Sequence, residues 1–364
     1  MGKHHVTHPT LPMHNNPCRR MGGRPKAEYA YTVSYTDASL SIFDISNPAS
    51  PALKGCIRGA GSPNYLNGAI AIDIVGPYAY IACALENSLT IIDISNPASP
   101  AFKGFISGAG SPNYLNTPYD VFVKGNYAYI AAYVENGLTI IDISNPASPA
   151  FTGSIQGVGS PNYLGSPYRV RVVGNNAYLT SNFDDSLTVI DVSDPSNPVF
   201  KGNIMGQGSP NYLYQAIGLS IEGNYAYVGA EEDDALTIID ISDPANPTFK
   251  GSISGAGAPN YLNGAWDVFV KGNSAYVTAW VDDALTIIDI SNPASPTLKS
   301  YIQDSLSQPV GVYVTGGHAY VVSEANDRLD IFDISDPANP TLKGSISGAG
   351  APNYLNGVQD VYVV

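Results

Sequence analysis

The sequence is short of the residues that would give it a covalent frame or a ready catalytic motif. Three cysteines in 364 residues (Cys18, Cys56 and Cys83) allow at most one disulfide, so the fold must rest on an ordinary buried core. Charged side chains make up only 13% of the chain, and acids outnumber bases 31 to 17, for a formal charge of -14. That balance argues against nucleic acid or an anionic membrane surface as the main partner. No stretch approaches the roughly 18 to 20 uninterrupted apolar residues of a membrane span, so membrane insertion is not expected. The first 27 residues lack the apolar core of a secretory signal. There is no His-Glu-x-x-His, no Gly-x-Ser-x-Gly, no paired Cys-x-x-Cys and no Gly-Lys-Ser/Thr phosphate loop. The expectation is a protein that is not an enzyme.

What is present falls into two parts. Residues 1–27 carry Lys3, Arg19, Arg20, Arg24 and Lys26 with no acid, and hold four of the five histidines (His4, His5, His8 and His14). They show no hydrophobic period and read as a disordered basic leader. From residue 28 to 364 the chain repeats itself, and the repeat decides the fold. A Phe/Ile-Asp-Ile/Val-Ser marker places its aspartate at Asp44, Asp93, Asp142, Asp191, Asp240, Asp289 and Asp333, five times 49 residues apart and once 44. An Ala-Tyr marker gives the same count at Tyr31, Tyr80, Tyr129, Tyr178, Tyr227, Tyr276 and Tyr320.

One unit shows four β segments and no helical period. Strand A is expected at 119–123, B at 128–134, C at 138–144 and D at 151–156. Gly125-Asn126 and Glu135-Asn136-Gly137 supply tight turns. Asn145-Pro146 to Pro149 must be a loop, because proline lacks the N–H that a ladder needs. Four strands in a unit of this length imply an all-β, seven-bladed β-propeller of four-stranded antiparallel blades. The repeat region opens on a strand B (30–35) and ends on a strand A (358–363), so N-terminal strands B to D should pair with the C-terminal strand A and close the ring.

Leu-Thr-Ile-Ile-Asp-Ile-Ser-Asn-Pro-Ala-Ser-Pro, at 89–100 and 138–149, with the preceding Ala-Tyr, resembles the LVIVD-repeat family of bacterial and archaeal proteins. The resemblance covers about residues 28 to 364. It implies a β-propeller, often of surface or exported proteins, and no activity; an extracellular or cell-surface location is the matching expectation. The units depart from the family in carrying an added Gly-Ala-Gly-Ser-Pro-Asn-Tyr-Leu-Asn loop.

In a propeller, the D-to-A and B-to-C connections share one face and the A-to-B and C-to-D connections the other. The second face takes fourteen of the 28 prolines and reads as structural. The first gathers Glu86, Glu135, Asp184, Asp185, Glu231, Glu232, Asp233, Asp234, Asp282, Asp283, Glu324 and Asp327 in the B-to-C turns. No cofactor is implied; if this acidic rim holds an ion, calcium suits its oxygen ligands, and otherwise the acids are solvated turn residues. The same face carries the added loop six times, and only the join at 304–308 omits it. Its Asn64, Tyr65, Asn113, Tyr114, Asn162, Tyr163, Asn211, Tyr212, Asn260, Tyr261, Asn353 and Tyr354 are the candidate ligand-binding residues. Tyrosine rings offer flat apolar area and asparagine amides offer directed hydrogen bonds, a pairing suited to a protein or a glycan. Alternatively Leu66 and its equivalents anchor the loops while the rings pack over a neighbouring blade.

At the head of strand A the aligned positions include Asp120, Arg169, Asp267 and Asp360, expected at the channel mouth. The strand C aspartates read instead as structural, each bonding the adjoining loop backbone. The leading expectation is a non-enzymatic interaction scaffold that presents repeated Tyr/Asn-rich and acidic loops on one face. A self-associating structural surface protein is the alternative, and a channel-mouth metal or enzymatic site comes third.

Overall fold

A computed structural model describes residues 28–364, all of whose regular elements are β-strands. The basic leader lies outside the described residues. The strands form seven four-stranded antiparallel sheets, each in the order A-B-C-D. Blade 1 joins Val358–Val363 to Tyr29–Ser34, Ser39–Asp44 and Ala52–Arg58. Blades 2 to 7 follow in sequence, with inner strands A at Ala69–Val75, Pro118–Lys124, Pro167–Val173, Ala216–Glu222, Ala265–Lys271 and Pro309–Thr315. Closure is as the sequence implies: Ala30 pairs with Val363 and Val33 with Asp360, and Tyr29 and Val364 exchange two backbone hydrogen bonds of 3.0 Å.

Blade 3 shows why these residues make these strands. Its strand A pairs with Tyr127–Ala132 through the Gly125-Asn126 turn, where Gly125 takes the positive φ of 61° that glycine accepts freely. Strands B and C end two residues earlier than their pattern suggests, at Ala132 and Asp142. The B-to-C connection is a four-residue turn whose last member, Asn136, sits at φ 56°. Strand C stops because the Asp142 carboxylate accepts the Ser144 N–H at 2.8 Å and takes it from the ladder. The same bond recurs at all seven strand C aspartates.

The core lies between blades. Strands B and C are buried along both faces, hence their near-continuous apolar runs. Tyr129, Leu138 and Ile140 of blade 3 pack against Leu164, Val170, Val172 and Leu179 of blade 4, and similar clusters join the other blades. Strand D is the outer, partly exposed edge. Of the cysteines, Cys56 and Cys83 are free, and burial pushes the Cys83 thiol up to about 12.

Candidate functional site

The added loops are built to fold back on themselves. Each asparagine amide donates to the carbonyl six residues earlier: Asn64 to Arg58, Asn113 to Ser107, Asn162 to Gln156, Asn211 to Met205, Asn260 to Ser254 and Asn353 to Ser347, at 2.7–2.8 Å. The tyrosine that follows takes a positive φ in all six loops. Its carbonyl accepts strand C hydroxyls, as Tyr65 from Thr90 at 2.7 Å and Tyr114 from Thr139 at 2.6 Å. The next residue, Leu66, Leu115, Leu164, Leu213, Leu262 or Leu355, is fully buried and pins the loop.

This geometry turns the rings outward. Tyr65 stacks on Phe105 of the outer strand Ala101–Ser107, with centroids 3.9 Å apart, and Phe102 lies 5.8 Å away. Tyr114 meets Phe151, Tyr163 meets Phe200, Tyr261 stacks on Tyr301 at 3.9 Å, and the Arg58 guanidinium covers Tyr354 at 4.4 Å. These five rings therefore pack on the outer strand of the blade their own loop leads into, and all six loop tyrosines, Tyr212 included, stay half-buried. Beside Tyr65 this leaves a groove of about 390 Å³ lined by Pro63, Phe102, Phe105, Ala147 and Pro149.

The acidic turns hold these loops in place. Asp184 accepts the N–H groups of Gly159 and Gly165 at 2.7–3.0 Å, Asp233 those of Gly208 and Tyr214, Asp282 those of Gly257 and Asn263, and Asp37 those of Gly350 and Asn356. In blades 2 to 7 the last residue of the turn reaches into the next connection: Asn136 accepts the Ser166 N–H, Asp185 that of Gln215, Asp234 that of Gly264 and Asp327 that of Gly357. Five of the six loops, those of Tyr114, Tyr163, Tyr212, Tyr261 and Tyr354, are thus held from their own blade and from the one before. Among the described residues, no group of three His, Cys, Asp or Glu side chains is placed to hold a metal.

The axial channel has three tiers. A bulge at the start of strand A, between Pro118 and Asp120, gives the mouth on the loop face to the residue before the charged one. Tyr119, Tyr168 and Trp266 gather there, with centroids 4.9 Å and 5.7 Å apart, and burial raises the Tyr168 hydroxyl well above the usual range. Asp120, Arg169, Asp267 and Asp360, expected at the channel mouth, form the second tier, one residue further along each strand. Asp120, Arg169 and Asp267 are no more than 6% exposed. Arg169 lies between Asp120 at 3.7 Å and Asp267 at 3.5 Å.

These carboxylates also serve the backbone. Strand A is an edge strand, and its inward N–H groups need acceptors. Asp120 takes the N–H of Val170, Asp267 that of Val312 and Asp360 that of Ile72, each on the following or a neighbouring inner strand, at 2.8–3.1 Å. Burial raises Asp360 to about 7, against the pull of Arg169. The flanking carboxylates outweigh burial at Arg169, so its guanidinium holds its proton more firmly still.

The third tier, two residues along each strand, is Asp73, Phe122, Arg171, Ser220, Phe269, Tyr313 and Tyr362. With the charged tier it encloses a cavity of about 200 Å³. Asp73 accepts the Val123 and Ile74 N–H groups at 2.7 and 2.8 Å, and burial raises its carboxyl. Arg171 binds Asp120 at 2.7 Å. Sequence reasoning stopped at the charged tier; the aligned columns at 70, 119, 168, 217, 266, 310, 359 and at 73, 122, 171, 220, 269, 313, 362 carried the signal for the other two.

Comparisons with known proteins agree with the architecture. The LVIVD repeat matches residues 26–58, 68–107, 118–156, 165–206, 215–254, 264–304 and 310–347. Among curated proteins none matches the chain. Among solved structures, a protein from Lactobacillus plantarum superposes with a TM-score of 0.75 at 13% identity, covering 93% of this chain and 100% of its own. The periplasmic gluconolactonase PpgL of Pseudomonas aeruginosa gives 0.73 at 12%, covering 93% and 99%. Apo AztD from Citrobacter koseri gives 0.60 at 12%, covering 93% and 98%. At these identities the likeness is one of fold.

Proposed function

The chain belongs to the LVIVD-repeat family, and on that premise we propose that it is a non-enzymatic interaction scaffold whose repeated tyrosine loops bind a protein or a glycan. The observation that carries this reading is the recurrence of one aromatic surface around the disc: a loop tyrosine laid on an outer-strand Phe or Tyr in blades 2, 3, 4 and 6, with Arg58 as the partner in blade 1. The asparagines shape the loop, and the half-buried rings with the flanking prolines offer the contact area. The contact surface is then the outer rim of the loop face. Flat rings beside a shallow groove suit the apolar face of a sugar or a proline-rich or aliphatic segment. Several weak sites on one rigid disc strengthen attachment to a repeated ligand by avidity. A cell-surface or extracellular location belongs to the same reading and rests on the family resemblance.

The test is a printed glycan array and an immobilised peptide library probed with the wild type and with a Tyr65/Tyr114/Tyr163/Tyr261→Ala variant. Binding that the variant loses while keeping its β circular dichroism supports the scaffold. A wild type that binds neither library but self-associates in light scattering favours a structural, self-assembling disc instead.

A further inference from the structure

The axial cavity is independent of the rim, and its chemistry is of another kind. Four carboxylates (Asp73, Asp120, Asp267 and Asp360) and two guanidiniums (Arg169 and Arg171) line it. The ion pairs run from Arg169 to Asp120 and Asp267 and from Arg171 to Asp120. Among the described residues, Asp73 has no cation within ion-pair distance and bonds only backbone N–H groups.

The guanidiniums have donor capacity to spare. Arg169 has a side chain 5% exposed, yet its buried Nε has no hydrogen-bond partner. Both hydrogen bonds of Arg171 leave from one terminal nitrogen, toward Asp120 and the Val170 carbonyl, and its side chain is 29% exposed. An unused buried donor on a cation calls for an acceptor, best an anionic one. Around the third tier, Phe269, Tyr313 and Tyr362 form a continuous aromatic arc with centroids 5.0 and 4.9 Å apart. Tyr362 and Asp73 occupy the same tier on adjacent blades. An aromatic arc ending in a carboxylate is a favourable seat for an ammonium group.

We propose that the axial cavity binds a small free amino acid as its zwitterion, with the carboxylate received by Arg169 and Arg171 and the ammonium by Asp73 and the aromatic arc. A ligand carrying net charge would satisfy one end and leave the other charge unpaired in a largely desolvated pocket, which is costly. A zwitterion answers both ends and adds no net charge. About 200 Å³ is room for an amino acid and too little for a chain of residues.

The experiment is isothermal titration calorimetry of the full chain against the twenty common amino acids together with β- and γ-amino acids. The tightest binder is then compared with its decarboxylated amine, its N-acetyl form and inorganic phosphate. The expected result is saturable binding of at least one amino acid, weakened tenfold or more in the amine and the N-acetyl form, with phosphate failing to compete. Asp73→Asn, which keeps an acceptor for Val123, and Arg171→Gln should each weaken it by about tenfold as well. No heat with any amino acid, equal binding of the lone amine or of phosphate, or a folded Asp73→Asn that binds as tightly as the wild type would each overturn the proposal. Should a variant fail to fold, the wild-type ligand series decides alone, and Tyr313→Phe tests the cavity without touching a charge.

Discussion

Gly153 and Asp360 show how single residues carry the ring. A Cβ on Gly153 would lie 2.4 Å from the Pro195 carbonyl of the next blade, so here glycine answers to packing and not to φ. Gly55, Gly104, Gly202, Gly251 and Gly344 meet the same obstruction in their blades. Gly153→Ala should therefore destabilise the protein by about 1–3 kcal/mol, as overpacking does, read from chemical denaturation. Asp360 works through pH. Its folded pKa, about 7, lies above the value for a free carboxylate. Its stabilising share is complete below the unfolded pKa and is lost as pH rises through 7. The melting temperature of wild type relative to Asp360→Asn should fall between pH 5 and pH 8. The exposed strand C aspartates run the other way. Asp191 and Asp289 are held at about 2, first by their Ser193 and Ser291 partners, so their share is present above pH 4 and fades toward pH 2.

At the scale of elements, the clamped loop is the unit to perturb. Asp184→Ala strips the acceptor from one half-buried and one buried N–H group, those of Gly159 and Gly165, a loss of about 1–3 kcal/mol. Amide exchange should quicken at Gly159 and Gly165, which Asp184 holds, and stay slow in strands B and C of the blade. Unchanged exchange there would mean that the buried Leu164 and the Asn162 and Asn136 bonds fix the loop without Asp184. Strand types and turns were legible because short apolar runs, Gly-Asn and Asn-Pro act locally. The role of the acidic turns was not, since an acid in a turn reads the same whether water or a loop 25 residues away in sequence takes its hydrogen bonds. The loop tyrosines were legible as candidates, but their outward direction depends on a positive φ at each and, for Tyr65, Tyr114, Tyr163 and Tyr261, on a partner in strand D some 40 residues on. The channel charges were found by alignment of the units. Their depth along the channel depends on the bulge before Asp120, which is a pairing irregularity and not a composition signal.

The whole molecule is a ring held shut by one strand contributed from the far end of the chain. Removing 358–364 would expose the Tyr29–Ser34 edge and open a face of the core; such a truncation should lose the single cooperative melt of the intact disc and aggregate. A rigid closed disc gives the tyrosine loops fixed spacing, which is what avidity requires. The most direct test of the scaffold reading is a valency series: one, two and four of Tyr65, Tyr114, Tyr163 and Tyr261 changed to Ala, with surface plasmon resonance against the best array ligand displayed densely and sparsely. The account predicts that on the dense surface dissociation quickens steeply with each ring removed, while the melting temperature stays within a few degrees. Unchanged binding in the fully substituted, still-folded disc would contradict it.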